Sequence, residues 1–152
     1  MVKTNNEDLV GVCLNFDIED EPDLKPNNPL DIMFEFMESI EGPIVRNQLK
    51  PSIGQILHSF MMGTSENLSP RDNIGVMAFM ETEVIKLATN KGFKGVFSTN
   101  SSPLTQQFGE SVFGFEKLLP VDVNKYADHN GYRPFSAAPD TQTVAVMYKS
   151  LR

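Results

Sequence analysis

Five short apolar runs and three stretches with helical spacing divide this chain. Leu9–Phe16 (LVGVCLNF) follows a turn-like Asn5–Asp8, and its length and β-branched content predict a buried strand. Gly11 inside that run marks a bulge or a close approach of backbone to a neighbour. An acidic loop with two prolines, Asp17–Asn28, comes next. Asn28-Pro29-Leu30-Asp31 then reads as a helix start, with Asn28 as cap, Pro29 in the first turn and Asp31 beside the positive end of the dipole. The apolar face of that helix is expected at Leu30, Met33, Phe34 and Met37, with Gly42-Pro43 as its end. Ile44–Pro51 is too short and mixed to assign.

The stretch from Gln55 to Gln106 is the organising centre. It reads as an apolar strand (Gln55–Gly63), a polar turn (Thr64–Asn73) and an amphipathic helix (Ile74–Lys91) closed by Gly92. A second strand (Gly95–Thr99) follows, and then a polar cluster (Asn100–Gln106) that begins a helix running to about Val112. Gly114-Phe115 breaks that helix, and Glu116–Val123 alternates as a strand. The long segment Asn124–Asp140 reads as a loop, and Thr143–Lys149 as a final strand pairing back across it. Loops of that length tend to be functional. A strand, a turn and a helix N-terminus together make an anion pocket, because the first helical N–H groups lack partners within the helix. Ser69-Pro70-Arg71-Asp72 has a second reading as a capping box, with Ser69 as cap and Asp72 reaching back.

At 152 residues the chain reads as one domain, residues 1–152, with loops at 17–28 and 124–140. The formal charge of −7 lies wholly within residues 1–50, which carry eleven acids against four bases. An acidic half suits a cationic ligand or simply a solvated surface. No basic patch with interleaved aromatics occurs, which argues against nucleic acid. No apolar run reaches the ~20 residues of a membrane helix, and the polar, acidic start does not resemble a signal peptide. One cysteine, Cys13, excludes an internal disulfide framework and points to a reducing, cytoplasmic compartment. With two histidines besides that thiol, no metal site is expected. Cys13 reads as a packed core thiol rather than a nucleophile. His58, inside an apolar strand, is either a hydrogen-bonded core residue or a base. The Met33/Phe34/Met37 stripe is either plain core or the wall of a pocket for a flat apolar substrate.

The order strand, turn, helix, Lys-Gly-Phe, strand, short helix, Gly-Phe, strand, long loop, strand resembles the C-terminal half of the GCN5-related N-acetyltransferase superfamily. Ser69–Val76 (SPRDNIGV) stands where that superfamily has its acetyl-CoA loop, and Lys86–Phe93 looks like the end of the following helix. Phe113-Gly114-Phe115 matches the closure of the next helix. Ala137–Asp140 with Val144–Lys149 looks like the tail of animal arylalkylamine N-acetyltransferases. The match is imperfect: Arg71 lies four residues before Gly75 rather than three, and Met77 replaces a second small residue.

This resemblance implies an α+β fold of that type: a mixed, mostly antiparallel central sheet with helices on both faces. The family's opening strand, two helices and further strand have no counterpart ahead of Leu9, so it implies an N-terminally truncated, partial domain. It further implies acetyl transfer from acetyl-CoA, as co-substrate, to a primary arylalkylamine. In that scheme His58 is the candidate base, and Ser102 or Thr105 handles the proton of the departing thiolate. Phe60, Met61, Met62, Arg71, Asp72, Asn73, Ile74, Gly75, Val76, Asn100 and Thr105 are the expected cofactor contacts, and Met33, Phe34 and Met37 the expected substrate contacts. The alternative is a non-catalytic remnant that binds acetyl-CoA or a protein partner, with the sheet edge beside Leu9–Phe16 open for a homodimer. A third reading is a generic α+β binding domain without acyl chemistry.

Overall fold

A computed structural model describes residues 1–22 and 30–151 of the chain. The expected cap at Asn28 and Pro29, and the second half of the loop 17–28, fall outside the described residues. Among the described residues, six strands in the order β1-β2-β3-β4-β6-β5 make a mixed α+β fold: β1 (Val2–Lys3), β2 (Leu9–Asp17), β3 (Ile56–Thr64), β4 (Gly95–Asn100), β5 (Glu116–Asp122) and β6 (Thr143–Ser150). The helices are α1 (Asp31–Ile44), α2 (Pro70–Asn90) and α3 (Pro103–Phe108). The chain folds as two compact bodies. One holds residues 1–20, 52–96 and 150–152; the other holds 21–51 and 97–149.

In the first body β1 pairs antiparallel with β2, setting Val2 against Gly11 and Lys3 against Leu9. Part of the edge that the sequence left open beside Leu9–Phe16 is therefore taken by the chain's own first residues. β2 and β3 are antiparallel, with Phe16 opposite His58 and Cys13 opposite Met62. Between Leu14↔Met61 and Asn15↔Ser59 the register slips by one, leaving Phe60 as an extra residue on β3. α2 lies on this pair, burying Met80, Val84 and Ala88 at the helical i, i+4, i+8 spacing. Gly11 lies tightly under α2: a Cβ there would stand 2.8 Å from Val76 Cγ1 and 2.9 Å from Met80 Sδ. α2 begins four residues earlier than Ile74, because Ser69 caps it and Pro70 occupies its first turn.

In the second body β5 and β6 pair antiparallel across the long loop, from Glu116 opposite Tyr148 to Asp122 opposite Thr143. Phe97, Val146 and Met147 are fully buried at its centre, with Phe115, Val144 and Ala145 around them. α1 differs from expectation on two points. Its buried stripe is Phe36, Ile40 and Ile44, while Leu30 is 49% exposed and Met33, Phe34 and Met37 are half-buried. Gly42-Pro43 does not end it either. The helix runs on to Ile44 and through a wider π turn, Val45–Leu49, to a left-handed Lys50. A proline so near the C-terminus sacrifices one backbone bond and leaves the turns before it intact. A similar π turn, Gly109–Phe113, extends α3 to the left-handed Gly114.

Candidate functional site

Among the described residues, polar and aromatic side chains gather in both bodies. In the first body, the corner between β3 and α2 is held by the chain's own side chains. Ser69 Oγ accepts from the Asp72 N–H at 3.2 Å and donates to Asp72 Oδ2 at 2.6 Å. Thr64 Oγ1 donates to Asn73 Oδ1 at 2.7 Å, tying the end of the strand to the first helical turn. The helix N-terminus thus has its hydroxyl cap, and Asp72 supplies negative charge where the dipole favours it. A diphosphate arriving there would meet that carboxylate. Arg71, Asp72 and Gly75 are exposed, Ile74 is 42% exposed, and Val76 packs towards Gly11. Ser69 is therefore the cap of α2, as the capping reading of this stretch expects.

His58 is buried on β3 at 3% exposure and meets the Phe60 ring edge to face, centroids 5.6 Å apart. Phe16 packs edge-on to Phe60 at 5.7 Å. Met61 is 46% exposed and Met62 half-buried. Cys13 Sγ donates to Asn15 Oδ1 at 3.4 Å and lies 3.7 Å from Ser59 Oγ. Burial raises the Cys13 thiol above its ordinary value, and the hydrogen bonds to Ser59 and Asn15 only partly offset it. A raised value leaves less thiolate at any given pH, so Cys13 should react with Ellman's reagent at pH 8 well below the rate of a free thiol. Denaturant should restore the full rate. Equal rates in the native and unfolded protein would refute the packed-thiol reading.

In the second body, the end of β4 and the start of α3 are bound together by amides. Ser102 caps α3, its Oγ accepting from the Thr105 N–H, while Thr105 Oγ1 donates to the Ser102 carbonyl at 2.9 Å. Gln106, 6% exposed, donates from Nε2 to the carbonyls of Thr143 (2.9 Å) and Asn100 (3.2 Å). Asn100 Nδ2 points at Met147 Sδ, 3.0 Å away. Gln142 Nε2 donates to the Ser101 carbonyl at 2.7 Å, tethering the end of the long loop to the α3 start. The sequence reading missed both glutamines. A polar residue at a buried helical position, followed by Phe108 and Gly109, was the available clue to Gln106.

The loop carries the aromatic constellation. Tyr126 and Phe135 stand edge-on to the buried Phe36 of α1, at 4.9 and 5.4 Å, and lie 5.9 Å from each other. Asp128 Oδ1 accepts from the N–H groups of Asn130 and Tyr132, and Arg133 donates to the Asn124 carbonyl. These bonds give the loop a defined course. Met33, Phe34 and Met37, the expected substrate contacts, share α1 with Phe36 but not its buried stripe. His58 belongs to the first body, and Ser102 and Thr105 to the second. Among the described residues, no group of three metal-ligating side chains forms and no helix is long and apolar enough to cross a membrane.

No family model matches the chain. Solved structures of the polyamine N-acetyltransferase of Drosophila melanogaster (16% identity, TM-score 0.70, covering 97% of this chain and 72% of that one) and of arylalkylamine N-acetyltransferase 2 from Aedes aegypti (18%, 0.64, 99% and 71%) superpose on it. At those identities the likeness defines the fold class, that of the GCN5-related acetyltransferases, and nothing of the chemistry. The C-terminal condensation domain of Ebony, solved in complex with β-alanyl-dopamine, matches at 48% identity and a TM-score of 0.92, over 97% of this chain and 68% of that one. The chain belongs to the family of that condensation domain. It is also 49% identical over 148 residues to the β-alanyl-bioamine nonribosomal peptide synthetase Ebony of Drosophila melanogaster, and it spans 17% of that protein's length.

These findings correct the reading from motifs. The arylalkylamine N-acetyltransferase assignment, acetyl transfer as the function and acetyl-CoA as co-substrate are not supported. The motif SPRDNIGV misled because a capped helix start and a phosphate-binding helix start draw on the same residue types. The α+β fold expected from that resemblance stands.

Proposed function

We propose that the chain is a condensation domain that joins an activated β-alanyl group to the amine of an arylalkylamine such as dopamine, forming the amide. The observation that carries this reading is the 48% identity, over 97% of the chain, to a domain solved with β-alanyl-dopamine. The capped corner at Ser69–Asp72 supports a donor other than a coenzyme bearing a diphosphate. Aminolysis requires the amine to shed a proton before or as it attacks the acyl carbon, and the leaving group to take one up. The buried imidazole of His58 is our candidate for the first task. The single cysteine and the acidic N-terminal third accord with a cytoplasmic protein acting on a cationic small molecule.

Isothermal titration calorimetry tests the reading. β-Alanyl-dopamine should bind the chain with measurable heat, and acetyl-CoA at the same concentration should give none. Saturable binding of acetyl-CoA with no response to β-alanyl-dopamine would overturn it.

A further inference from the structure

We propose that Asn130 is a site of self-modification: its side-chain amide cyclises onto the Gly131 nitrogen and departs as ammonia, with the His129 imidazole handing the leaving nitrogen its proton. The reaction is independent of the condensation reading above. Of the chain's asparagines only Asn130 is followed by glycine. It stands at the tip of the long loop in the second body, where His129, Asn130, Gly131 and Tyr132 are all exposed. Gly131 has a φ of +80°, and a Cβ built there would meet nothing within 4 Å, so its backbone is open to approach. His129 Nε2 lies 2.9 Å from Asn130 Nδ2, within the reach that proton transfer needs.

Attacker and carbonyl belong to neighbouring residues, so the step is intramolecular. The Gly131 nitrogen gives its proton to solvent and bonds to Asn130 Cγ. The Cγ–Nδ2 bond then breaks, and a five-membered succinimide remains. Water, the one co-reactant, opens that ring at either carbonyl, leaving aspartate or isoaspartate at the position. The turn itself sets the pace. Gly131 N–H donates to the Asp128 carbonyl at 3.0 Å, and Asp128 Oδ1 accepts from the N–H groups of Asn130 and Tyr132 at 2.8 and 2.9 Å. Attack therefore waits for these bonds to open. Both products put a second carboxylate beside Asp128, and isoaspartate also lengthens the main chain, so the turn does not close again as before. Asn100, followed by Ser101, is the contrast. It is half-buried, and its Nδ2 donates to the Thr105 carbonyl and points at Met147 Sδ, so its amide should persist.

Ageing the intact chain in warm neutral buffer tests this, with peptide mapping by mass spectrometry and electron-transfer fragmentation to tell isoaspartate from aspartate. The peptide holding Asn130 should gain the mass of an amide-to-acid exchange ahead of every other asparagine, with isoaspartate the larger product. His129→Gln keeps a hydrogen-bonding side chain that cannot serve as an acid, and should slow the exchange about tenfold. Asp128→Ala loosens the turn and should speed it about threefold. Exchange at another asparagine first, or aspartate without isoaspartate, overturns the proposal. An unchanged rate in His129→Gln overturns the role of the imidazole, and a slower rate in Asp128→Ala overturns the gating by the turn. Circular dichroism checks each variant; should Asp128→Ala not fold, the product ratio and the exposed His129→Gln decide.

Discussion

Replacing Phe97 by alanine is expected to lower the unfolding free energy by about 3–5 kcal/mol. Phe97 has no exposed surface and is the largest fully buried side chain among the described residues. The loss has two parts: the transfer free energy of the ring, and the cavity left where its neighbours close over it only in part. Val146 and Met147 are fully buried in the same body. Met147 is flexible enough to refill part of the space, which favours the lower end of the range. Urea denaturation followed by far-ultraviolet circular dichroism measures the change. A midpoint shift corresponding to less than about 1 kcal/mol would mean that the second body is not packed around this ring.

The second large effect is expected where almost nothing stands now. Gly11→Ala adds one methyl group at a position where it would lie 2.8 Å from Val76 Cγ1 and 2.9 Å from Met80 Sδ. Such separations are well inside van der Waals contact, so α2 must lift or both side chains must change rotamer. Overpacking of this kind costs about 1–3 kcal/mol. Val76→Ala combined with Gly11→Ala should recover part of the loss, because it removes the Cγ1 atom that clashes. Strict additivity of the two substitutions in a double-mutant cycle would contradict direct contact between β2 and α2.

Gly11 also illustrates how far the residues alone could be read. A glycine in the middle of an apolar strand announces a bulge or a close approach, and at Gly11 it is the close approach that is found. Strand–turn–helix punctuation was equally legible, since Ser69-Pro70, Gly92 and Gly114 act through local backbone chemistry. The α1 face was not. Its Met/Phe positions are apolar on more than one side, and choosing between sides depends on packing partners distant in sequence. Tyr126 and Phe135 were invisible as a pair for the same reason: their common partner Phe36 lies 90 and 99 residues earlier. At the α2 start, the capping by Ser69 was legible in the residues, while the acetyl-CoA reading drawn from the same stretch is overturned by the relatives. Whether a helix start is filled by its own serine and aspartate or by a ligand is a matter of three-dimensional occupancy, which residue order does not record.

Gln106 has two amide hydrogens and delivers them to carbonyls on two different strands, Asn100 at the end of β4 and Thr143 at the start of β6. Neither strand end can fray without stripping a hydrogen bond from the same side chain. Opening of the first α3 turn and loosening of the β6 entrance therefore become a single event, visible in amide exchange as protons that are released together and not one by one.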